Sequence, residues 1–89
     1  MKQTKEVKYE KVYIEVIVKV NADGSLRPLM IVWDDGQKFK VDRVLHARPR
    51  ASTKVGGCGM MYTVMIEGKE RYLFNEEDGR WFVEHPKEG

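Results

Sequence analysis

The clearest pattern in the chain is strict alternation of apolar and polar positions between residues 9 and 20. From residue 12 onward, one face of this segment carries only branched apolar residues, while the other is mostly charged or polar. A period of two residues is typical of a β-strand with one buried face, because a helix would scatter these side chains around its axis. The segment therefore predicts a long strand, with a buried face formed by Val12, Ile14, Val16, Val18 and Val20.

Five shorter segments also predict strands, because Val, Ile, Tyr, Phe, Trp and Thr are concentrated in them. These segments are 27–33, 37–45, 60–67, 71–75 and 80–84. In the segment 71–75, Tyr72 and Phe74 are expected to point inward together. Glycine after Asp, Asn or Glu marks four tight turns between strands, since glycine tolerates the positive φ that hairpins need. The turns are 21–24, 34–36, 67–68 and 76–79.

The third predicted strand changes phase in its middle. Val41 is followed by the adjacent pair Val44 and Leu45, so strict alternation fails. A β-bulge at Asp42–Arg43 would restore the pattern, because a bulge inserts one extra residue and bends the strand. The competing interpretation is one short helical turn near 42–46, which the same spacing also fits. The β-branched context favours the bulge.

The pattern as a whole predicts an all-β fold, a single small antiparallel barrel or roll of about six strands in meander order. We expect one barrel-like domain at 9–85, a flexible N-terminus at 1–8 and a flexible C-terminus at 86–89. Residues 47–59 are basic and rich in glycine and have no apolar period. They predict a mobile loop.

Composition narrows the class of protein. A chain of 89 residues with 42% hydrophobic and 34% charged residues is typical of one small globular domain. The single cysteine excludes an intrachain disulfide, and the charged N-terminus is unlike a signal peptide. The apolar stretches are too short for a membrane helix. We therefore expect a cytoplasmic protein without membrane contact.

Candidate catalytic and metal-binding residues are few and scattered. Cys58, His46 and His85 have no metal-ligand spacing, although Cys58 and His46 remain open as a nucleophile pair that folding brings together. The glycine-rich stretch 56–59 lacks the Lys-Ser/Thr ending of a phosphate loop. The acids at 34–35 and 76–78 lie beside turn glycines, where they usually bond their own backbone. The sequence therefore predicts no enzyme, no cofactor and no metal site.

Charge is unevenly distributed along the chain. Residues 37–57 contain six Lys or Arg and one acid, whereas residues 67–89 contain four Lys or Arg and seven acids. A basic strand and loop are suited to a nucleic-acid backbone. The predicted contact residues are Lys38, Lys40, Arg43, His46, Arg48, Arg50 and Lys54. Tyr13, Tyr62 and Trp33 would stack on unpaired bases if their rings were exposed.

A spaced set of residues resembles a known family. The set is Pro28-x-x-Ile31-x-Trp33-x-x-Gly36-x-x-Phe39-x-Val41-x-x-Val44-Leu45, followed by Gly79-Arg80-Trp81-Phe82-Val83-Glu84. It resembles small bacterial proteins of uncharacterised function, often encoded near error-prone Y-family translesion polymerases. The resemblance covers roughly residues 9 to 85. It implies a bacterial source and a link to DNA repair, and it brings no catalytic residues.

The sequence thus predicts a non-enzymatic binding module that contacts nucleic acid through the basic strand and loop at 38–54. The alternative is a protein-interaction or self-assembly module, with a repair polymerase or a second copy as partner. In a regular strand, one of Trp81 and Phe82 must point away from the core. If that ring were exposed near Tyr13 or Ile17, the patch would mark an interface.

Overall fold

The computed structural model describes residues 8–51 and 58–87. Seven strands are present in this part of the chain and no helix. They are β1 (Lys8–Val20), β2 (Leu26–Val32), β3 (Lys38–Lys40), β4 (Arg43–Ala51), β5 (Cys58–Ile66), β6 (Lys69–Glu76) and β7 (Trp81–Lys87). All neighbouring strands pair antiparallel, which confirms the predicted all-β antiparallel fold.

The strands form one curled sheet in the order β3-β2-β1-β7-β6-β5-β4. Strands that follow one another in the chain are neighbours, except that β3 and β4 lie at opposite edges. The sheet is curled, so that these edges lie close together. This is seen at the link between β3 and β4, whose backbone bonds to both sides of the sheet. The Val41 N–H donates to the Leu29 carbonyl on β2, and the Asp42 N–H donates to the Met65 carbonyl on β5, at 2.9 and 2.8 Å.

The long strand β1 belongs to two parts of this sheet. Its first half pairs with β7, from Lys8 opposite Lys87 to Ile14 opposite Trp81. Its second half, 15–20, pairs with β2. The register with β2 shifts between Ile17 and Val18, which makes a bulge of Leu29 on β2. A bulge bends a strand, so β1 and β2 turn the sheet at this point.

Four tight turns lie where glycine predicts them. In three, the glycine has φ between +85° and +93°, and its N–H bonds the carbonyl three residues earlier at 2.8–2.9 Å. The Asp before each glycine accepts the N–H two residues later: Asp23 from Ser25, Asp35 from Gln37 and Asp78 from Arg80. The fourth turn, Glu67-Gly68, has positive φ at both residues, as a two-residue type I′ hairpin requires.

The main core fills the inner, concave face of the sheet. Val64 and Leu73 are essentially inaccessible there. The buried members are Ile14, Ile31, Val41, Tyr62, Val64, Ile66, Leu73 and Trp81, with Val12, Val16 and Val18 packed against them. The alternation of β1 therefore predicts its inward face correctly up to Val18, while Val20, at the strand end, is exposed.

A second, smaller cluster lies on the outer face and contains Met61, Phe74 and Phe82. The prediction that Tyr72 and Phe74 point inward is therefore wrong. Leu73 is the inward residue of β6, and Tyr72 is 51% exposed. The sequence pattern of β6 is ambiguous because Leu73 and Phe74 are adjacent and both apolar. Phe74 packs against apolar neighbours on the outer face.

The middle of the chain differs most from the prediction. The expected strand 37–45 is interrupted at 41–42, and the expected loop 47–59 is strand at both ends, with 52–57 outside the described residues. The bulge lies at Leu45, between Val44 and His46, and not at Asp42–Arg43. The competing helical turn is absent from the described residues. Residues 43–45 of β4 belong to the predicted strand, but residues 46–51 were missed because Ala47 and Pro49, on the inward side, are not large apolar residues and are exposed.

Candidate nucleic-acid interface

Three predicted contact residues share the outer face of the edge strand β4: Arg43, His46 and Arg48. Val44 faces inward opposite the core residue Val64, and the bulge at Leu45 restores alternation from His46 onward. All three residues, Arg43, His46 and Arg48, are exposed. Their partners on β5 are neutral: Arg43 lies opposite Met65, His46 opposite Thr63 and Arg48 opposite Met61.

The remaining predicted residues extend this line or lie beyond it. Lys38 and Lys40 are exposed on β3, opposite Val32 and Met30. Arg50 occupies the next outer position of β4, opposite Gly59, but its side chain is outside the described part. Lys54 also lies outside the described residues. We refer to Lys38, Lys40, Arg43, His46 and Arg48 as the basic ridge.

The basic ridge follows one continuous stretch of backbone and does not converge on a pocket. Lys40 and Arg43 are three residues apart, so their backbones are separated by no more than about 10 Å. Residues two apart along β4, such as His46 and Arg48, are separated by about 7 Å. A linear row of cations is suited to a polyanion, whose charges are also arranged in a line.

The Lys and Arg residues of the ridge have no ion-pair partner within residues 8–51 and 58–87. The nearest acid in sequence is Asp42, whose Oδ2 accepts the backbone N–H of Glu67 at 3.2 Å. Its carboxylate is thus engaged with the turn between β5 and β6. Within the described residues, the Lys and Arg side chains of the ridge therefore form no direct ion pair.

In another part of the outer face, two cations are paired with acids. Glu76 accepts a hydrogen bond from the Lys11 Nζ and one from the Tyr13 hydroxyl, each at 2.8 Å. Arg80 lies 3.5 Å from Glu76 and 2.8 Å from Asp78. We call Lys11, Tyr13, Glu76, Asp78 and Arg80 the Glu76 cluster. The Lys11 bond, and then the Tyr13 bond, lower the pKa of Glu76 below its ordinary 4.5.

The Glu76 cluster lies over the outer aromatic residues. Phe82 stacks on Phe74 with ring centroids 4.9 Å apart, and Tyr13 meets Phe82 edge-on at 5.9 Å. The Lys11 Nζ lies 4.9 Å from the Phe82 ring centre. Phe82 is indeed the residue of the pair 81–82 that points away from the main core, but it is only 2% exposed. It does not form the open patch that would mark an interface.

The aromatic residues proposed for base stacking are differently placed. Tyr62 is buried beside Trp81, at 5.1 Å between ring centroids, and burial raises the pKa of Tyr62. Trp33 is half-buried against the main core. Tyr13 is 40% exposed, but the Arg80 guanidinium lies 4.4 Å from its ring centre. Of these three, Tyr13 is the most exposed, and the Arg80 guanidinium covers one of its faces.

An aromatic residue that sequence reasoning placed in the core is better positioned. Tyr72 lies on the outer face opposite Thr63, and Thr63 lies opposite His46. Tyr72 and His46 of the basic ridge therefore belong to one row across β4, β5 and β6. The turn Glu67-Gly68 was a signal that could have located it, because a two-residue hairpin fixes the register of the strands that it joins.

The other candidate chemistry is not assembled. Cys58 is paired with Ala51, while His46 lies opposite Thr63, so their positions are five residues apart along β5, or about 17 Å. Asp35 and Asp78 bond the backbone of their own turns, as expected of acids beside turn glycines. In the described part of the chain, no three His, Cys, Asp or Glu residues are grouped as metal ligands. Nor is there, in this part, a helix long and apolar enough to cross a bilayer.

Comparison with known proteins gives no match: no family model, curated protein or solved structure is similar to the chain. The resemblance to proteins encoded near translesion polymerases stays a prediction.

Proposed function

We propose that this protein is a non-enzymatic binding module for single-stranded nucleic acid and that the basic ridge is its contact surface. The observation that carries the proposal is the row of exposed basic residues on β4, in which Arg43 and Arg48 form no ion pair within the described residues, beside the exposed Tyr72. Phosphates would bond the cations and a base would stack on Tyr72. Binding would then depend strongly on salt and weakly on sequence.

The geometry favours a single strand over a duplex. His46 and Tyr72 are separated by one strand, so their backbones lie about 10 Å apart across the sheet. Both side chains are long enough to contact neighbouring parts of one nucleotide. A duplex keeps its bases stacked on one another, so Tyr72 would gain a stacking partner only from an unpaired strand.

The biological setting of this activity is proposed from the resemblance: a bacterial cytoplasm, DNA repair and a repair polymerase as partner. The single cysteine is compatible with a reducing compartment. The alternative function, a protein-interaction or self-assembly module, is supported by a separate feature of the structure, the cleft between β6 and β7 described below.

Fluorescence anisotropy with labelled single-stranded DNA, single-stranded RNA and duplex DNA tests the proposal. We expect the single strands to bind more tightly, and the affinity to fall between about 50 and 200 mM salt. In the double variant Arg43→Ser/Arg48→Ser, the slope of log K against log salt should decrease by about 1.4, since each lost phosphate contact contributes about 0.7 for a single strand.

Lys19→Ser/Arg27→Ser is the matched control, because it also removes two exposed cations. These residues pair across the β1–β2 hairpin and lie outside β3 and β4, the strands that carry the ridge. The control should keep the full salt slope. Equal losses in the two double variants would show that only net charge matters and would overturn the ridge as the contact surface. No binding at low salt would overturn the proposed function itself.

Tyr72→Ala tests the stacking contact. We expect it to weaken single-strand binding by about 5- to 150-fold and to leave duplex binding unchanged, because stacking contributes about 1–3 kcal/mol per base. Tyr72→Phe keeps the ring and should bind like the natural protein. A similar loss for duplex and single strand would contradict stacking on Tyr72.

A further inference from the structure

The hairpin formed by β6 and β7 is paired only near its turn. Two residue pairs are in register, Phe74 with Phe82 and Asn75 with Trp81. Beyond them the strands separate, although β6 continues to pair with β5 as far as Lys69, and β7 continues to pair with β1 as far as Lys87. Residues 69–73 and 83–87 therefore have a strand neighbour on one side only, within the described part of the chain.

A cleft of about 690 Å³ lies between the separated strands. Its inner wall is apolar and reaches the main core, with Ile31, Trp33, Phe39, Leu73 and Val83 among the lining residues. Its two sides are strand edges, whose backbone N–H and C=O groups alternate in direction and half of which face the gap. The cleft therefore presents an apolar floor between two rows of backbone hydrogen-bonding groups.

Along this cleft, the basic and the acidic side chains lie on opposite faces of the sheet. Arg71 pairs with Val64 and Lys69 with Ile66, so both cations lie on the inner side, beyond Leu73. On β7, His85 follows Val83 on the same inner side, opposite Glu10 of β1. The outer side instead carries Glu70 on β6 and Glu84 on β7. A strand placed in the cleft would meet apolar groups and then cations inside, and acids outside.

We propose that the cleft binds an extended peptide segment of another protein, inserted as a strand between β6 and β7. The peptide backbone would bond both strand edges, parallel to one strand and antiparallel to the other. Its inward side chains would be apolar beside Leu73 and Val83 and acidic beside Arg71, and its outward side chains would be basic. This is strand addition, in which the backbone gives affinity and alternate side chains give specificity.

The probe is a synthetic peptide, acetyl-Thr-Val-Lys-Val-Lys-Asp-Thr-amide, in which Val, Val and Asp occupy alternate positions. Amide hydrogen exchange locates the bound peptide. We expect new protection at 69–73 and 83–87, together with a change in the fluorescence of Trp33. The same peptide with N-methylated Lys residues has lost two N–H donors and should bind at least about tenfold more weakly.

A charge exchange tests the orientation of the peptide. Arg71→Glu should weaken the Asp-containing peptide about five- to tenfold and should strengthen a peptide with Lys in place of Asp. Arg71 is exposed, so the variant is expected to fold. Arg43→Ser/Arg48→Ser should bind the peptide normally, which separates this proposal from nucleic-acid binding.

Three results would overturn the proposal. The first is no binding of the peptide at millimolar concentration. The second is binding without protection of 69–73 and 83–87, which would place the peptide elsewhere. The third is protection of these residues in the free protein together with a dimer by light scattering, which would assign the cleft to a second copy.

Discussion

Two groups of cations occupy the outer face of the same sheet, and they differ in what surrounds them. In the Glu76 cluster, Lys11 and Arg80 bond Glu76, and Arg80 also bonds Asp78. In the basic ridge, Arg43 and Arg48 lie opposite the neutral residues Met65 and Met61. The first group serves the fold, and the second has charge available for an external anion.

The comparison shows that the position of the acids matters more than the number of bases. By number, the seven acids of residues 67–89 would be enough to neutralise the six Lys and Arg of residues 37–57. In the structure, Glu76 and Asp78 are instead used by cations of β1 and the last hairpin. This follows from topology, because the β1–β7 pairing brings Lys11 close to the turn between β6 and β7.

The largest effect is expected beneath the Glu76 cluster. Phe82→Ala should destabilise the protein by about 3–5 kcal/mol, because it removes a buried ring that stacks on Phe74. Urea unfolding measures the difference. A loss below about 1 kcal/mol would show that the outer aromatic cluster contributes little, and the two regions would then not differ in structural role.

Gly59 lies between the two regions, opposite the position of Arg50 on one side and Glu76 on the other. Its φ is +150°, and a Cβ would collide with the backbone carbonyl of Asn75. Gly59→Ala should therefore cost more than about 1 kcal/mol in urea unfolding. Gly24→Ala, where a Cβ meets nothing within 4 Å, isolates the cost of positive φ alone and should lose less.

Acid should weaken the Glu76 cluster selectively. The folded-state pKa of Glu76 is lowered from 4.5, so its stabilisation is present above about pH 4.5 and is lost as the pH falls through the lowered pKa. Glu76→Gln should be less stable than the natural protein at neutral pH, and the difference should shrink below about pH 4.5. Urea midpoints across this range measure it. A difference independent of pH would contradict the role of the ionised carboxylate.

Substitutions in the two regions should affect different properties: stability for the Glu76 cluster, and the salt dependence of binding for the basic ridge. Lys11→Met should lower the stability and leave the salt slope of nucleic-acid binding unchanged, because Lys11 is held by Glu76. Thermal unfolding and anisotropy measure the two properties in parallel. A reduced salt slope for Lys11→Met would mean that the Glu76 cluster also contacts phosphate.

The smallest effect on stability is expected in the basic ridge. Arg48→Ser should change the free energy of unfolding by no more than about 0.5 kcal/mol, because Arg48 is exposed and has no acidic partner in the described part of the chain. Urea unfolding beside Phe82→Ala gives the contrast directly. A larger loss would indicate that Arg48 supports the fold.

The sequence was most informative where one local rule decides the structure. Asp before glycine predicted three turns, because both the side-chain bond and the positive φ are local properties. The alternation of β1 predicted its buried face, because only one side of that strand is apolar. Both features depend on residues that are close in sequence, so they can be predicted without knowing which strands pair.

Prediction failed where distant strands decide. The segment 71–74 of β6 has large side chains on both faces, and only pairing with β5 shows that Leu73 points inward. The inward side of β4 beyond Leu45 lacks large apolar residues. The only periodic signal there is the alternate spacing of His46, Arg48 and Arg50, which a basic loop would show equally well. Charge along the chain thus identifies a basic group, whereas its arrangement on a strand and the proximity of Tyr72 to His46 depend on the pairing of β4, β5 and β6.

The pairing of β1 with β7 has a consequence for how the chain folds. Lys8 and Lys87 are partners in this ladder, so residues almost a full chain length apart must meet before the sheet is complete. Closing so long a loop costs entropy before any contact offsets it, and proteins dominated by such contacts fold slowly, in about milliseconds to seconds. The hairpins can form early, but the native sheet is complete only after β1 has paired with β7.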